Sequence, residues 1–419
     1  MTAHAAGAAP TTPEETGMDW IPADDGIRKR IEAMCARVEA VTRGGAYFYN
    51  MPVTELRGGS RVVVNGREMK MFASYSYLGL IGHPRISQAA RQAIDRFGTG
   101  THGVRTLAGS LSLHRELEER IAAFKGADDA ITFSSGYATN VTTVSTLVGR
   151  HDVVFCDKLN HASIVDGCLL SGAKFVRFRH NDMDDLEQRL SEAPSNGSRL
   201  VVADAVFSMD GDIIDLPRLV ELCRRHRAWL MIDEAHSLGV LGRTGRGIEE
   251  HFGLPKTIDI KMGTLSKTIP SVGGYIAGDS SLITYLRHQS RAYIFSAALP
   301  PAQAAAALEA FRVIEDEPWR VEAVQRNAAQ FIRSVRAHGL NTLQTETAIV
   351  PVLCGTDDRA FQMTAEAHQR DIFVLPVVSP AVPEGLARLR ATVTAAHQPE
   401  EIEAASNVFA EAGHKVGIL

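Results

Sequence analysis

The chain reads as an α/β protein, with a large domain on a mostly parallel sheet followed by a small α+β C-terminal domain. Three observations predict this. Between about Leu117 and Ala277, short apolar runs recur, several without polar alternation, as in strands buried on both faces. Helical, amphipathic stretches separate most of these runs, which is the pattern of parallel strands joined by helical crossovers. Pro300-Pro301 then interrupts the chain before a long helical stretch, and a shorter set of strands and helices follows. A length of 419 residues suits two domains better than one simple core.

The elements follow in order. Residues 1–20 are rich in Ala, Thr and Pro and read as a mobile arm. Segment 21–75 should hold a helix and a hairpin. Ile27, Ile31, Met34, Val38 and Val41 recur at three- and four-residue steps, with Asp24-Asp25 as a start and Gly44-Gly45 as a stop. "RVVVNGREMKMF" is a hairpin whose two-residue turn is Asn65-Gly66.

The large domain is expected over 76–300. Its seven strand candidates are "AITF" (130–133), "VVFC" (153–156), "KFVRF" (174–178), "LVVADAVF" (200–207), "AWLMID" (228–233), "IDIKMG" (258–263) and "GYIAG" (274–278). The small domain is expected over 301–419, with strands in "AIVPVL", "IFVLPV" and "RLRATVT" and helices at 358–369 and 398–411.

Composition narrows the function classes. A net charge of -5 gives no global attraction to a polyanion, and no Lys/Arg cluster carries interleaved aromatics, so no nucleic-acid partner is expected. No run approaches the roughly 18 apolar residues of a membrane span. The N-terminus lacks the basic start and apolar core of a secretory signal. Cys35, Cys156, Cys168, Cys223 and Cys354 are scattered, without metal-ligand spacing, and read as thiols in a reducing compartment. These observations point to a cytoplasmic enzyme with no metal site.

"MIDEAHSLG" (231–239) contains the letters of a helicase box, and "GTLSKT" (263–268) looks like half of a phosphate loop. A phosphate loop needs a glycine directly before its lysine, so that backbone N–H groups wrap the phosphates unobstructed. Here Ser266 precedes Lys267, and the lysine segment follows the acidic strand instead of preceding it. Nucleotide hydrolysis is therefore rejected. A second reading fits both segments. Asp233 ends one apolar strand and Lys267 lies just past the end of another, where open α/β sheets place their ligands. A lysine for a Schiff base, a carboxylate for a pyridine nitrogen, and the hydroxyls of Thr264 and Ser266 suit pyridoxal phosphate (PLP). Taken alone, the pair fits a helix cap and a solvated surface lysine better than a cofactor site.

The rest of the chain decides between these readings. From about Ile27 to the C-terminus it closely resembles the α-oxoamine synthases, PLP-dependent enzymes of fold type I. The matching segments stand in family order: "YLGLIGHP" (77–84), "GTGTHGVRTLAGSLSLHRELE" (98–118), "FSSGYATN" (133–140), "NHASIVDG" (160–167), "VFSMDGD" (206–212), "DEAHSLGVLGRTGRG" (233–247), "GTLSKTIPSVGGY" (263–275), "YIFSAALPP" (293–301) and "RLRATVTAAH" (388–397).

The resemblance implies a role for each matched residue. Lys267 holds the cofactor and moves the α-proton, Asp233 pairs with the pyridinium nitrogen, and His161 stacks on the ring. His236 and Ser208 lie near the ring hydroxyl. Ser135, Gly136 and Tyr137 open a helix whose N–H groups favour phosphate. Thr264 and Ser266 complete that grip, with Ser296 reaching in from a second subunit of a homodimer. Arg390 receives a substrate carboxylate, for which a guanidinium fork is suited. The implied reaction is a decarboxylative Claisen condensation of an amino acid with an acyl thioester, acyl-CoA foremost.

Within the family the segments point toward serine palmitoyltransferase. Tyr75 in "ASYSYLG", Ser266 in "TLSKT" and "VRFRHND" (176–182) resemble that branch, and serine is the first expectation for the amino acid. Two positions depart from it. Val378 stands where bacterial palmitoyltransferases carry Arg, and His102 stands where they carry Asn, on the substrate side. A sister activity on glycine or alanine, like that of 2-amino-3-ketobutyrate-CoA ligase or 8-amino-7-oxononanoate synthase, an aminotransferase and a non-catalytic subunit are the alternatives. The last lacks the Schiff-base lysine, which is present here as Lys267.

Overall fold

The computed structural model describes residues 22, 24–45, 47–194 and 196–419, so the arm expected over 1–20 lies outside the described residues. Two compact units are present, Met1–Asn50 and Met51–Leu419. The first contains α1 (Gly26–Arg43), whose start is set by the Asp25 carboxylate accepting the N–H groups of Ile27 and Arg28. Gly44 follows the last turn, as the sequence anticipates.

The second unit begins with β1 (Val53–Leu56), β2 (Arg61–Val64) and β3 (Arg67–Met71). Asn65 and Gly66 join β2 to β3 with φ of 50° and 76°, the double positive φ of a type I′ turn. Next come α2 (Pro84–Phe97) and α3 (Ser112–Lys125). Strands and helices then alternate through β4 (Asp129–Phe133), α4 (Gly136–Leu147), β5 (Val153–Asp157), α5 (Ala162–Ser171), β6 (Lys174–Phe178) and α6 (Met183–Glu192). The series continues with β7 (Arg199–Asp204), α7 (Leu216–Arg225), β8 (Trp229–Asp233), α8 (Ile248–Phe252), β9 (Ile260–Thr264) and β10 (Gly274–Gly278).

β4 to β10 form one seven-stranded sheet in the order β4-β10-β9-β8-β7-β5-β6. Only β10 runs against its neighbours. All seven expected strands are present. "LVVADAVF" ends sooner than expected, at Asp204: after a last bond from the Ala205 N–H to the Asp233 carbonyl, Val206 pairs with Ile213 and the Phe207 N–H turns to the Asp212 carbonyl.

The missing polar alternation has a plain cause. Val153, Phe155, Val201, Ala203, Leu230 and Ile232 pack into a core on one face. Val154, Cys156, Leu200, Val202 and Met231 pack into a second core on the other. Both faces are covered, so both sets of alternating side chains are apolar.

α9 (Ser280–Gln289), α10 (Arg291–Ile294), α11 (Pro301–Asp316) and α12 (Trp319–Ala337) follow the sheet. Ala304 to Ile314 of α11, and Val321 and Val324 of α12, join the first of these cores. Phe331, Ile332 and Val335 of α12 belong instead to a smaller core. That core also packs β11 (Ile349–Gly355), α13 (Asp357–Gln369), β12 (Ile372–Phe373), β14 (Ala387–Thr392) and α14 (Pro399–Val416), with Val374 and Val378 joining it on either side of β13 (Pro376–Val377). On this packing we propose that the small domain begins within α12 rather than at residue 301.

"IFVLPV" is a correction to the expected single strand. It splits into β12, which pairs in parallel with β3, and β13, which pairs with β14. Between them the Val374 carbonyl accepts from His368 and the Leu375 carbonyl accepts from the Arg390 N–H, while Pro376 has no N–H to donate.

Candidate active site

Five parallel strands end at one place. β4 runs into Ser135, β5 into the turn carrying His161, β7 ends at Asp204 ahead of Ser208, β8 ends at Asp233, and β9 ends at Thr264. Their carboxyl ends surround a cavity of about 280 Å³ lined by Ser135, Gly136, Tyr137, Asn140, His161, Ser163, Asp204, Ser208, Asp233, Ala235, His236, Met262, Thr264, Ser266 and Lys267. Every cofactor residue expected from the sequence lines it except Ser296.

One end of the cavity suits an anion. Ser135 caps α4 by accepting the Ala138 N–H, so the first N–H groups of this twelve-residue helix are directed at the cavity. Thr264 Oγ1 and Ser266 Oγ lie 2.9 Å apart beside it. Glycine is required for this approach. A Cβ on Gly136 would sit 3.0 Å from Thr264 Oγ1, and one on Gly274 would sit 2.8 Å from the Gly136 Cα.

The other end suits a protonated ring nitrogen. The buried Asp233 carboxylate accepts the Ala235 N–H at 2.9 Å and the Asn140 amide at 2.7 Å, which aims it and leaves lone pairs for a third donor. Asn140 also donates to Ser163 Oγ, and that hydroxyl lies 2.7 Å from His161 Nδ1. His161 caps α5, and its own N–H donates to Asp204. Desolvation lowers the His161 pKa against the opposing pull of Asp233. Burial, with the charge of Asp233 beside it, raises the Asp204 carboxyl well above the usual range.

Lys267 stands between these ends. Its amine is 2.8 Å from His236 Nε2, and His236 Nδ1 is 2.6 Å from the Tyr77 hydroxyl. Burial, followed by the charges of Lys267 and Arg390, keeps the His236 ring neutral by pushing its pKa well below the ordinary value. Burial also lowers the lysine, to about 8, although Asp233 and Asp204 act the other way.

The expected substrate residues divide. The Tyr75 ring has Lys267 Nζ at 5.6 Å and the Arg390 guanidinium carbon at 4.8 Å from its centroid. Buried Arg390 donates from Nε to the Ser208 carbonyl at 2.6 Å and from Nη1 to Thr392, while Nη2 has no partner. Such a buried, unpartnered donor is costly unless a ligand meets it. His102 is exposed and outside the cavity. Val378 is buried in the smaller core, a place that suits its apolar side chain.

Asn140, Ser163, Asp204 and Tyr77 were not anticipated as site residues. Asn140 closes the quoted "FSSGYATN" and Ser163 falls within "NHASIVDG", so their motifs were in view without their partners.

A second cleft, of about 570 Å³, shares Ser266 and Lys267 with the cavity. Met71, Leu80, Ile81, Ile86, Phe373 and Leu375 supply much of its wall, and Lys267 is the one charged side chain among its described lining residues.

A fold of this topology, with a half-buried lysine, an oriented carboxylate and a helix-capped anion end, defines a PLP-dependent enzyme of fold type I. The model of the aminotransferase class I and II family matches residues 67–409. An 8-amino-7-oxononanoate synthase from Geobacter sulfurreducens is 45% identical over 86% of this chain and 93% of its own. A serine palmitoyltransferase from Sphingobacterium spiritivorum is 40% identical over 88% of this chain and 92% of its own. A solved serine palmitoyltransferase containing PLP superposes with a TM-score of 0.91 at 33% identity, covering 94% of this chain and 100% of that one. The chain belongs to the α-oxoamine synthases, PLP-dependent acyltransferases within the aminotransferase class I and II family.

Proposed function

We propose that this enzyme joins a small amino acid, serine before glycine or alanine, to a neutral acyl thioester. Carbon dioxide and the free thiol leave, and an α-amino ketone is the product. The observation that carries this reading is the unpartnered Nη2 of Arg390, buried beside the Lys267 amine and the Tyr75 ring. An amino-acid carboxylate on Arg390 would set its Cα beside Lys267, whose amine burial lowers to about 8.

PLP supplies the electron sink that lets that Cα lose a proton. Asp233, aimed by Asn140 and the Ala235 N–H, is the residue to keep a ring nitrogen protonated. The start of α4 with Thr264 and Ser266 would hold the phosphate, and His161, which lines the same cavity, would cover the ring. Tyr75 lines the apolar cleft, with its ring against the Lys267 amine and the Arg390 guanidinium. That cleft supports a neutral acyl chain over one ending in a carboxylate, because no Arg or Lys besides Lys267 lines it among the described residues.

We further place the enzyme in the cytoplasm as a homodimer. Four of its five free cysteines are buried, which suits a reducing compartment, and Ser296, which does not line this chain's own cavity, is read as reaching the phosphate of a second copy. Among the described residues no helix is long and apolar enough to cross a membrane.

The test is the visible absorption of the PLP-loaded protein, titrated with serine, glycine, alanine and threonine. Product formation is then followed with a hexadecanoyl thioester and with one of equal length ending in a carboxylate. A saturable change with serine and product from the neutral thioester are expected. A response to glycine or alanine alone moves the enzyme to a sister activity, and no response to any amino acid overturns the reading.

A further inference from the structure

We propose that His180 is a positioning residue, which clips the loop presenting His161 to the loop presenting Ser208. Its Nδ1 lies 3.0 Å from Asp157 Oδ1 and its Nε2 lies 3.0 Å from Asp212 Oδ2. Asp157 is fully buried at the end of β5, and its carboxylate also accepts the N–H groups of Leu159 and Asn181 at 2.8 Å each. It therefore shapes the turn that leads directly into His161.

Asp212 closes the other loop. The Phe207 N–H donates to the Asp212 carbonyl and the Gly211 N–H donates to the Phe207 carbonyl, with Ser208 held inside this turn. The Phe207 ring meets the His180 ring edge-on at 4.3 Å. From the opposite side β14 grips the same turn. Arg388 bonds the Met209 carbonyl and the Asp210 carboxylate, and Arg390 bonds the Ser208 carbonyl. One short loop thus has anchors in both the large sheet and the small domain.

The charge state follows from the partners. Each ring nitrogen faces a carboxylate oxygen, so each must donate, and an imidazolium satisfies both. Burial opposes that charge, but the hydrogen bonds to Asp157 and Asp212 outweigh it and hold the pKa at about 10. Asp210, which lies close enough to His180 and Asp212 to resemble a metal-binding set, pairs with Arg388. With both ring nitrogens committed as donors, the group is an ion-pair bridge and not a cation site. Breaking it removes the direct link between the two loops, although His180 does not line the cavity.

The inference rests on the cavity being the PLP site, and its test does not depend on turnover. His180→Gln offers one amide donor group in place of two opposed N–H groups. Asp212→Asn removes one charge with little change of shape. Each variant is compared with the natural protein by the dissociation constant of PLP, by the circular dichroism of the bound chromophore, and by thermal unfolding.

Loosened loops should weaken PLP binding about tenfold and diminish the chromophore's dichroism, since a charge-assisted hydrogen bond is lost in each case. The double variant should be no weaker than the worse single one, because both remove the same bridge. A lowered melting temperature with unchanged PLP affinity and dichroism would show a structural role only and overturn the proposal. If His180→Gln does not fold, Asp212→Asn decides by the same readouts. Failure of the natural protein to bind PLP sinks the functional reading instead, which separates the two.

Discussion

The Lys267 amine and His236 Nε2 lie 2.8 Å apart, with the Tyr77 hydroxyl 2.6 Å from the far nitrogen of the same ring. A neutral His236 can accept from lysine at Nε2 while donating to Tyr77 from Nδ1. The pair therefore points the amine without adding a second positive charge to the site.

The pH dependence of cofactor capture follows. Burial lowers Lys267 from 10.5 to about 8, and only its unprotonated amine is a nucleophile. The rate at which PLP-free protein takes up PLP should rise as pH passes through about 8 and level off above it. A rise that continues toward 10.5, the value of a solvated lysine, would show that burial does not tune this amine. Lys267→Ala should lose all measurable turnover and keep its fold by circular dichroism.

Arg390 should govern the amino acid and not the acyl donor. Its unpartnered Nη2 and its Nε bond to the Ser208 carbonyl leave one guanidinium edge for a carboxylate. Arg390→Ala is expected to raise KM for the amino acid roughly 10- to 100-fold, the range for losing charge-assisted hydrogen bonds. KM for the thioester should stay within about twofold, since such a chain interacts with apolar surface instead. Steady-state kinetics with each substrate varied in turn checks both.

Asn140→Leu tests the aim of Asp233. The substitution removes the 2.7 Å donor to its carboxylate and leaves Ser163 without its amide partner. A drop in kcat of about tenfold is expected, in line with the loss of one hydrogen bond to a charged group. KM for the thioester should hardly move. An unchanged kcat would mean that the Ala235 N–H alone orients Asp233.

Gly274→Ala would drive a methyl group to 2.4 Å from Thr139 Oγ1 and 2.8 Å from the Gly136 backbone. The start of α4 must then shift. A loss of about 1–3 kcal/mol is expected by chemical denaturation, as for overpacked cores, together with weaker PLP binding. Normal PLP affinity in a destabilised variant would place the phosphate away from this helix.

Much of the fold was legible because its cues are local. Strands buried on both faces must be apolar at successive residues, so the seven runs of the sheet stood out, and Asn65-Gly66 carries its turn in two residues. The least legible part was "IFVLPV", whose apolar run looks like one strand. Its division between two sheets depends on β3 and β14, which are distant in sequence. Among site residues, Lys267 and Asp233 were visible as chemistry at strand ends. Asn140 and Tyr77 were not, because an amide or a phenol acquires meaning only from the partner it meets.

By itself the sequence determined the alternating α/β architecture, the PLP-dependent family and the identity of the lysine and carboxylate at its centre. Each of these is written in residue type, order and period along the chain. Tertiary structure alone decided that His102 and Ser296 stand outside the cavity, that Val378 is buried in the smaller core, and that Asn140, Ser163 and Tyr77 join the site. The reason is physical. Hydrogen bonds and burial act over a few ångströms between residues brought together by the sheet's strand order, and strand order is not a property of any local segment.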